Sequence, residues 1–183
     1  FKTIQAAGDT ARDGDKILVA AGKYAPFASK NKSVVIQSAS GAATTLIDGT
    51  DALRPRVEML DDTDSTFISV NNKTNTVLVG FTVEHCELII GGTIQRCVIR
   101  DIDARAGGAP INFSIVDNSL ILNNLGCNGG AGDNCIFRNC TIVGNRATSG
   151  YRCVALNCVL ENCIVCGNAD NSSGTWPEWL RPM

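Results

Sequence analysis

The feature that most limits what this chain can become is a repeat of about 22 residues. Phe137-Arg-Asn-Cys-Thr-Ile-Val-Gly-Asn145 recurs 23 residues later as Leu160-Glu-Asn-Cys-Ile-Val-Cys-Gly-Asn168. Earlier copies are Val116-Asp-Asn-Ser-Leu-Ile-Leu-Asn-Asn124, Gln95-Arg-Cys-Val-Ile-Arg-Asp101 and Gly80-Phe-Thr-Val-Glu84. Placing like residues over like gives one column at Phe81, Cys97, Asn118, Cys140 and Cys163, with offsets of 16, 21, 22 and 23. A second column runs through Gly92, Phe113, Cys135 and Cys158, and a third through Asn123, Asn145 and Asn168.

A unit of this length, built from short β-branched runs between Gly and Asn, cannot bury its apolar side alone and must stack on its neighbours. The expected fold is all-β: a right-handed parallel β-helix, with the hand set by the strong preference of parallel crossovers. Three short strands per turn would form three parallel sheets, with strands about 4.8 Å apart along the axis. Repeated asparagine suits the corners, because it tolerates a left-handed backbone and its amide donates and accepts along a stack. Cysteine suits the inward columns, being small and readily buried.

Solenoids need covered ends. Residues 3–12 have helical spacing, with Thr3 as N-cap and Gly14 as stop, so a short N-terminal capping helix is expected before a first coil opening at Lys16-Ile-Leu-Val-Ala20. The expected division is one domain over 1–183: a cap at 1–14, coils over 15–170 and a tail at 171–183. That tail carries both tryptophans, and Trp176 and Trp179 are expected to fold over the last coil or an adjacent face.

Composition agrees with stacked strands: 44% of the 183 residues are hydrophobic but only 5% aromatic, and 18 are glycine. The formal charge of −2 is spread along the chain with no basic face, so nucleic acid is not an expected partner. No apolar run is long enough to span a membrane.

Phe1-Lys-Thr-Ile-Gln-Ala-Ala, followed by Gly14-Asp-Lys-Ile-Leu-Val-Ala-Ala-Gly-Lys-Tyr24, resembles the opening of proteins in the pectin-lyase-like superfamily. The Asn-Cys-Thr-Ile-Val-Gly-Asn and Asn-Cys-Ile-Val-Cys-Gly-Asn coils resemble the bacterial exported and surface β-helix proteins of that group. The likeness covers nearly the whole chain. It implies an extracellular or cell-surface setting and a carbohydrate context, among polysaccharide lyases, glycoside hydrolases, esterases and adhesins. A chain that opens on this motif is expected to be a trimmed or mature product. Two functions follow as expectations: a carbohydrate-associated protein that binds or cleaves an acidic polysaccharide, and a noncatalytic surface, adhesive or structural module. An enzyme of this kind would be a polysaccharide lyase, needing a base and a cation to neutralise the uronate, or a glycoside hydrolase, needing paired carboxylates.

Such groups must point outward. Counting from inward Phe81 and Cys97, period-two alternation sends Glu84 and Arg100 out together. With Arg96, Asp101, Asp103 and Arg105 they form the densest ionisable patch, a candidate surface for a uronate or Ca²⁺, although Glu84 and Arg100 also read as a plain surface ion pair. Asp61, Asp62 and Asp64, near Asp48 and Asp51, are weaker candidates for Ca²⁺ and otherwise a solvated loop. His85 is the only histidine and reads as a corner residue. Cys163 and Cys166, three apart on a strand, face opposite sides and cannot share a metal; stacked cysteines on neighbouring coils could bridge only with strained geometry, so free thiols are expected. The outer rows read Val98, Ser119, Thr141, Ile164 and Arg100, Ile121, Val143, Cys166. Ile121, Val143 and Ile164 are therefore expected to be covered by the tail or by self-association.

Overall fold

The computed structural model describes residues 1–52, 56–59, 76–106, 108–148 and 154–170. It is a parallel β-solenoid, and every strand pairing runs parallel. The chain opens with a single short helix, Ile4–Thr10, in which the Ala6 N–H donates to Thr3 Oγ1 at 3.1 Å, as the capping expectation required. The helix ends at Thr10, before Gly14, which instead bends the chain into the first strand, Lys16–Val19.

Among the described residues four sheets wall the coil, not three: the first and second walls have seven strands each, the third four and the fourth five. One coil shows the path: Ile115–Asp117 on the first wall, Leu120–Leu122 on the second, Leu125–Gly126 on the third and Gly132–Asp133 on the fourth. Three-strand triangles were expected because the third wall's strands are only two residues long and carry a faint period-two signal.

The walls meet at corners built from a two-residue rule. A residue with left-handed backbone comes first: Arg96, Asn118, Asn139 and Asn162 have φ of 50–53°. A small residue pointing inward follows: Cys97, Ser119, Cys140 and Cys163. The first turns the chain, and Asn does so at least steric cost. The second bonds the carbonyl two residues back across the corner, as when Cys140 Sγ donates to the Arg138 carbonyl at 3.2 Å and Ser119 Oγ to Asp117 at 2.8 Å.

This rule corrects one coil of the sequence alignment. The ladder pairs Val98 with Leu120, Leu120 with Thr141 and Thr141 with Ile164. Ser119, not Asn118, therefore stands in file with Cys97, Cys140 and Cys163, while Asn118 is an exposed corner. Ser114 replaces Phe113 in the second column and Asn124 replaces Asn123 in the third by the same one-residue slip. Phe113 and Asn123 are left-handed corners, with φ of 54° and 52°. Residue type misled the alignment, because asparagine serves both positions of the rule.

The slip also moves the outer rows. Ile121 is fully buried in the core, in register with Ile99 and Ile142. The outer rows actually read Val98, Leu120, Thr141, Ile164 and Arg100, Leu122, Val143, Cys166. Val143 is half-buried and Ile164 is 63% exposed, so these three residues form no shared covered face. Trp176 and Trp179 lie outside the described residues.

Inside, Ile36, Leu78, Ile94, Val116 and Phe137 stack from the first wall, and Ile47, Val83, Ile99, Ile121 and Ile142 from the second. Gly132 is needed beside Phe137, since a Cβ there would come within 2.8 Å of the ring. Between the second and third walls runs an amide ladder: Asn124 Nδ2 donates to Asn145 Oδ1 at 2.9 Å, and Asn145 Nδ2 to Asn168 Oδ1 at 3.0 Å. All three amides are buried. Cys86, Cys97, Cys135, Cys140, Cys158, Cys163 and Cys166 are free thiols, with Cys163 half-buried and Cys166 exposed on opposite sides of their strand.

Asn145→Ala would strip the acceptor from both the N–H and the Nδ2 of Asn124. It is expected to cost about 2–4 kcal/mol in urea unfolding. Asn139→Val, which forces a β-branched residue into a left-handed corner, should cost about 1–2 kcal/mol, and Asn139→Gly much less.

Candidate functional site

The ionisable groups expected to share a patch separate onto three parts of the coil. Glu84 and Arg100 are directly paired across adjacent strands, Thr82–Glu84 and Val98–Arg100, as the alternation predicted. Arg100 Nε and Nη2 lie 2.7 and 2.5 Å from Glu84 Oε2, and Asp101 stands 3.9 Å from Arg100 at the corner. Asp103 and Arg105 belong to the third wall and its exit, where they form their own bidentate pair at 2.6–3.2 Å. Arg96 sits at the opposite edge of the second wall, on the exposed corner before Cys97. Asp61, Asp62 and Asp64 lie outside the described residues.

The densest cluster includes groups that the patch left out. Asp48 ends the strand Thr45–Asp48, and the register sets it directly beside Glu84. Like charges side by side on neighbouring strands are unfavourable without compensation, and compensation is present on both flanks. Lys23 Nζ is 2.7 Å from Asp48 Oδ2, and Arg100 holds Glu84. Asp48 Oδ1 also accepts from the Thr50 N–H at 2.8 Å and the Thr50 hydroxyl at 2.5 Å. His85 Nδ1 lies 3.4 Å from the same oxygen. His85 is the corner residue expected, with φ 53°.

Burial would raise the Asp48 pKa, but the bonds from Lys23 and Thr50 outweigh it and hold the carboxyl well below the usual range. Lys23 is raised in turn, first by its bond to Asp48. Behind them, burial and then the Asp48 and Glu84 carboxylates push the Cys86 thiol up to about 12. That thiol is therefore neither a nucleophile nor an anionic ligand near neutral pH.

The burial of the two pairs is lopsided. The Lys23 side chain is 57% exposed and that of Asp48 6%; Arg100 is 45% exposed and Glu84 7%. Solvent at this corner meets the Lys23 and Arg100 head groups and, beside Arg100, the half-exposed Asp101, while Asp48 and Glu84 stand behind them. Sequence reasoning missed Lys23 and the role of Asp48. Asp48 and Glu84 are 36 residues apart, across a stretch that breaks the 22-residue period, so no spacing announced their contact.

No family model, no curated protein and no solved structure matches the chain. What stands is the class, a parallel β-solenoid with buried Asn and Cys files. Among the described residues no helix is long and apolar enough to cross a membrane.

Arg100→Ala would leave the Glu84 carboxylate buried without its cation. It should cost about 1–3 kcal/mol, whereas Arg105→Ala, in an exposed pair, should cost about 0–1 kcal/mol. Thermal melts of both variants against the parent would compare them.

Proposed function

We propose that the protein is an extracellular or cell-surface, carbohydrate-associated β-solenoid that binds acidic polysaccharide on its second wall. The observation that carries this reading is the lopsided burial at the wall's corner, where Lys23 and Arg100 face solvent and Asp48 and Glu84 do not. A uronate carboxylate approaching the wall meets Lys23 and Arg100 first, with exposed Arg96 across the strand and Arg105 beyond the corner. Strands running in register along the axis present such groups to an extended chain rather than to a compact ligand. The pectin-lyase-like character of the opening and coil motifs supports the extracellular carbohydrate setting.

Recognition is favoured over cleavage. A lyase needs a neutral base, but Lys23 is raised by its bond to Asp48 and Arg100 is tied to Glu84. A hydrolase needs both carboxyls of its pair open to the substrate, but Asp48 and Glu84 are buried behind Lys23 and Arg100. Within this proposal Ca²⁺ aids binding by bridging uronate carboxylates. A second reading, a structural or adhesive contact module, is favoured by apolar Val159, Leu160 and Ile164, all exposed on the last described coil.

The test is binding of polygalacturonate, alginate and a glycosaminoglycan by calorimetry, with and without Ca²⁺ and against neutral dextran. Binding to at least one acidic polymer is expected, weakened by salt and about tenfold by Arg100→Ala or Lys23→Ala. Absence of binding to every acidic polymer, or affinities indifferent to both substitutions, would refute it. Unsaturated uronate product would replace it with a lyase.

A further inference from the structure

The geometry points to a divalent transition-metal site at the same corner, formed by Asp48, Glu84 and His85. One ligand atom from each lies within 4.8 Å of the others, and the Asp48 Oδ1 to His85 Nδ1 distance of 3.4 Å is close to the edge of a small coordination polyhedron. Three facts about these residues make the grouping more than a set of neighbouring charges. The strand ladder fixes Asp48 against Glu84, so the two carboxylates are positioned by backbone register rather than by flexible loops. Glu84 holds Arg100 through Oε2, and among the described residues no hydrogen bond reaches Oε1. His85 follows Glu84 immediately, and its left-handed backbone lets Nδ1 come back toward Asp48.

The donor set selects the metal. Two carboxylates and an imidazole suit Zn²⁺, Co²⁺ or Ni²⁺, whereas Ca²⁺ takes oxygen alone. Such an ion would keep water at its remaining positions, since three protein ligands do not fill its shell. Lys23 is the competitor: it neutralises Asp48 from a half-exposed position, and an ion pair of that kind is a weak tie that its flexible chain can release into solvent. Metal entry at Asp48 Oδ1 would turn away the Thr50 hydroxyl that bonds that oxygen and release the Lys23 ammonium from Oδ2. This site does not depend on glycan recognition, and its readout is the metal alone.

Co²⁺ is the probe, added to the full chain with thiols kept reduced and followed by calorimetry and absorption. One equivalent should bind, with visible bands of oxygen and nitrogen ligation and without the near-ultraviolet charge transfer that thiolate ligands give. His85→Asn, which keeps a residue suited to a left-handed corner, should weaken binding by more than about 100-fold. Lys23→Met should tighten it by about tenfold. Circular dichroism melts confirm that both variants fold. No binding, binding unchanged in His85→Asn, or thiolate charge-transfer bands would each overturn the assignment.

Discussion

The structure depends on one hydrogen bond repeated at its corners: the backbone N–H of an inward corner residue donates to the side chain of its equivalent one coil further on. Cys97 N–H reaches Ser119 Oγ at 3.1 Å, Ile102 N–H reaches Asn124 Oδ1 at 3.0 Å and Asn145 N–H reaches Asn168 Oδ1 at 2.8 Å. Phe81 and Cys135 use the sulfurs of Cys97 and Cys158 in the same way. A corner is where a strand ladder breaks, and a buried N–H left without an acceptor there would be costly. Small side chains with an acceptor atom fill the role. Ser, Cys and Asn consequently fill the accepting positions of these files, and apolar Phe81 and Ile102 stand only where the N–H donates and no acceptor is needed.

The same bond makes cysteine structural here. Cys140 donates its proton to the Arg138 and Val116 carbonyls, and burial first among its causes pushes the thiol up to about 11. A thiol so placed is poorly reactive. Nine cysteines in one chain therefore need not indicate a disulfide framework or a zinc centre.

The period of about 22 residues, the stacked cysteines and the Thr3 cap were legible because each is a local pattern with a fixed physical cause. The one-residue slip at Asn118 and Asn123 arose because asparagine is both the best non-glycine corner and the best ladder amide, so residue identity could not separate adjacent positions. Only the neighbour distinguishes them: Ser119 and Asn124 carry the inward bond. In the candidate site, the Glu84–Arg100 contact followed from alternation counted from Phe81 and Cys97, which stay in file although that coil is short. Lys23 and Asp48 were invisible because the stretch between Asp48 and Thr76 departs from the period, and contact across an insertion leaves no trace in spacing. The third wall escaped notice for a related reason, since two-residue strands such as Leu125–Gly126 offer too little alternation to see.

The short coil carries an implication for how such a molecule can be altered. From Val77 to Thr93 the ladder advances one level in 16 residues, against 22 for the next, and no strand of the third wall forms on that level. Neighbouring levels nevertheless remain in register on the other walls. Because each side is a self-contained segment of about five residues bounded by its own turning and anchoring pair, the circumference can change by whole sides without disturbing the axial stacking. A scaffold of this kind can be widened or narrowed in discrete steps, level by level, which gives it a freedom of shape that barrels closed by a single continuous sheet do not have.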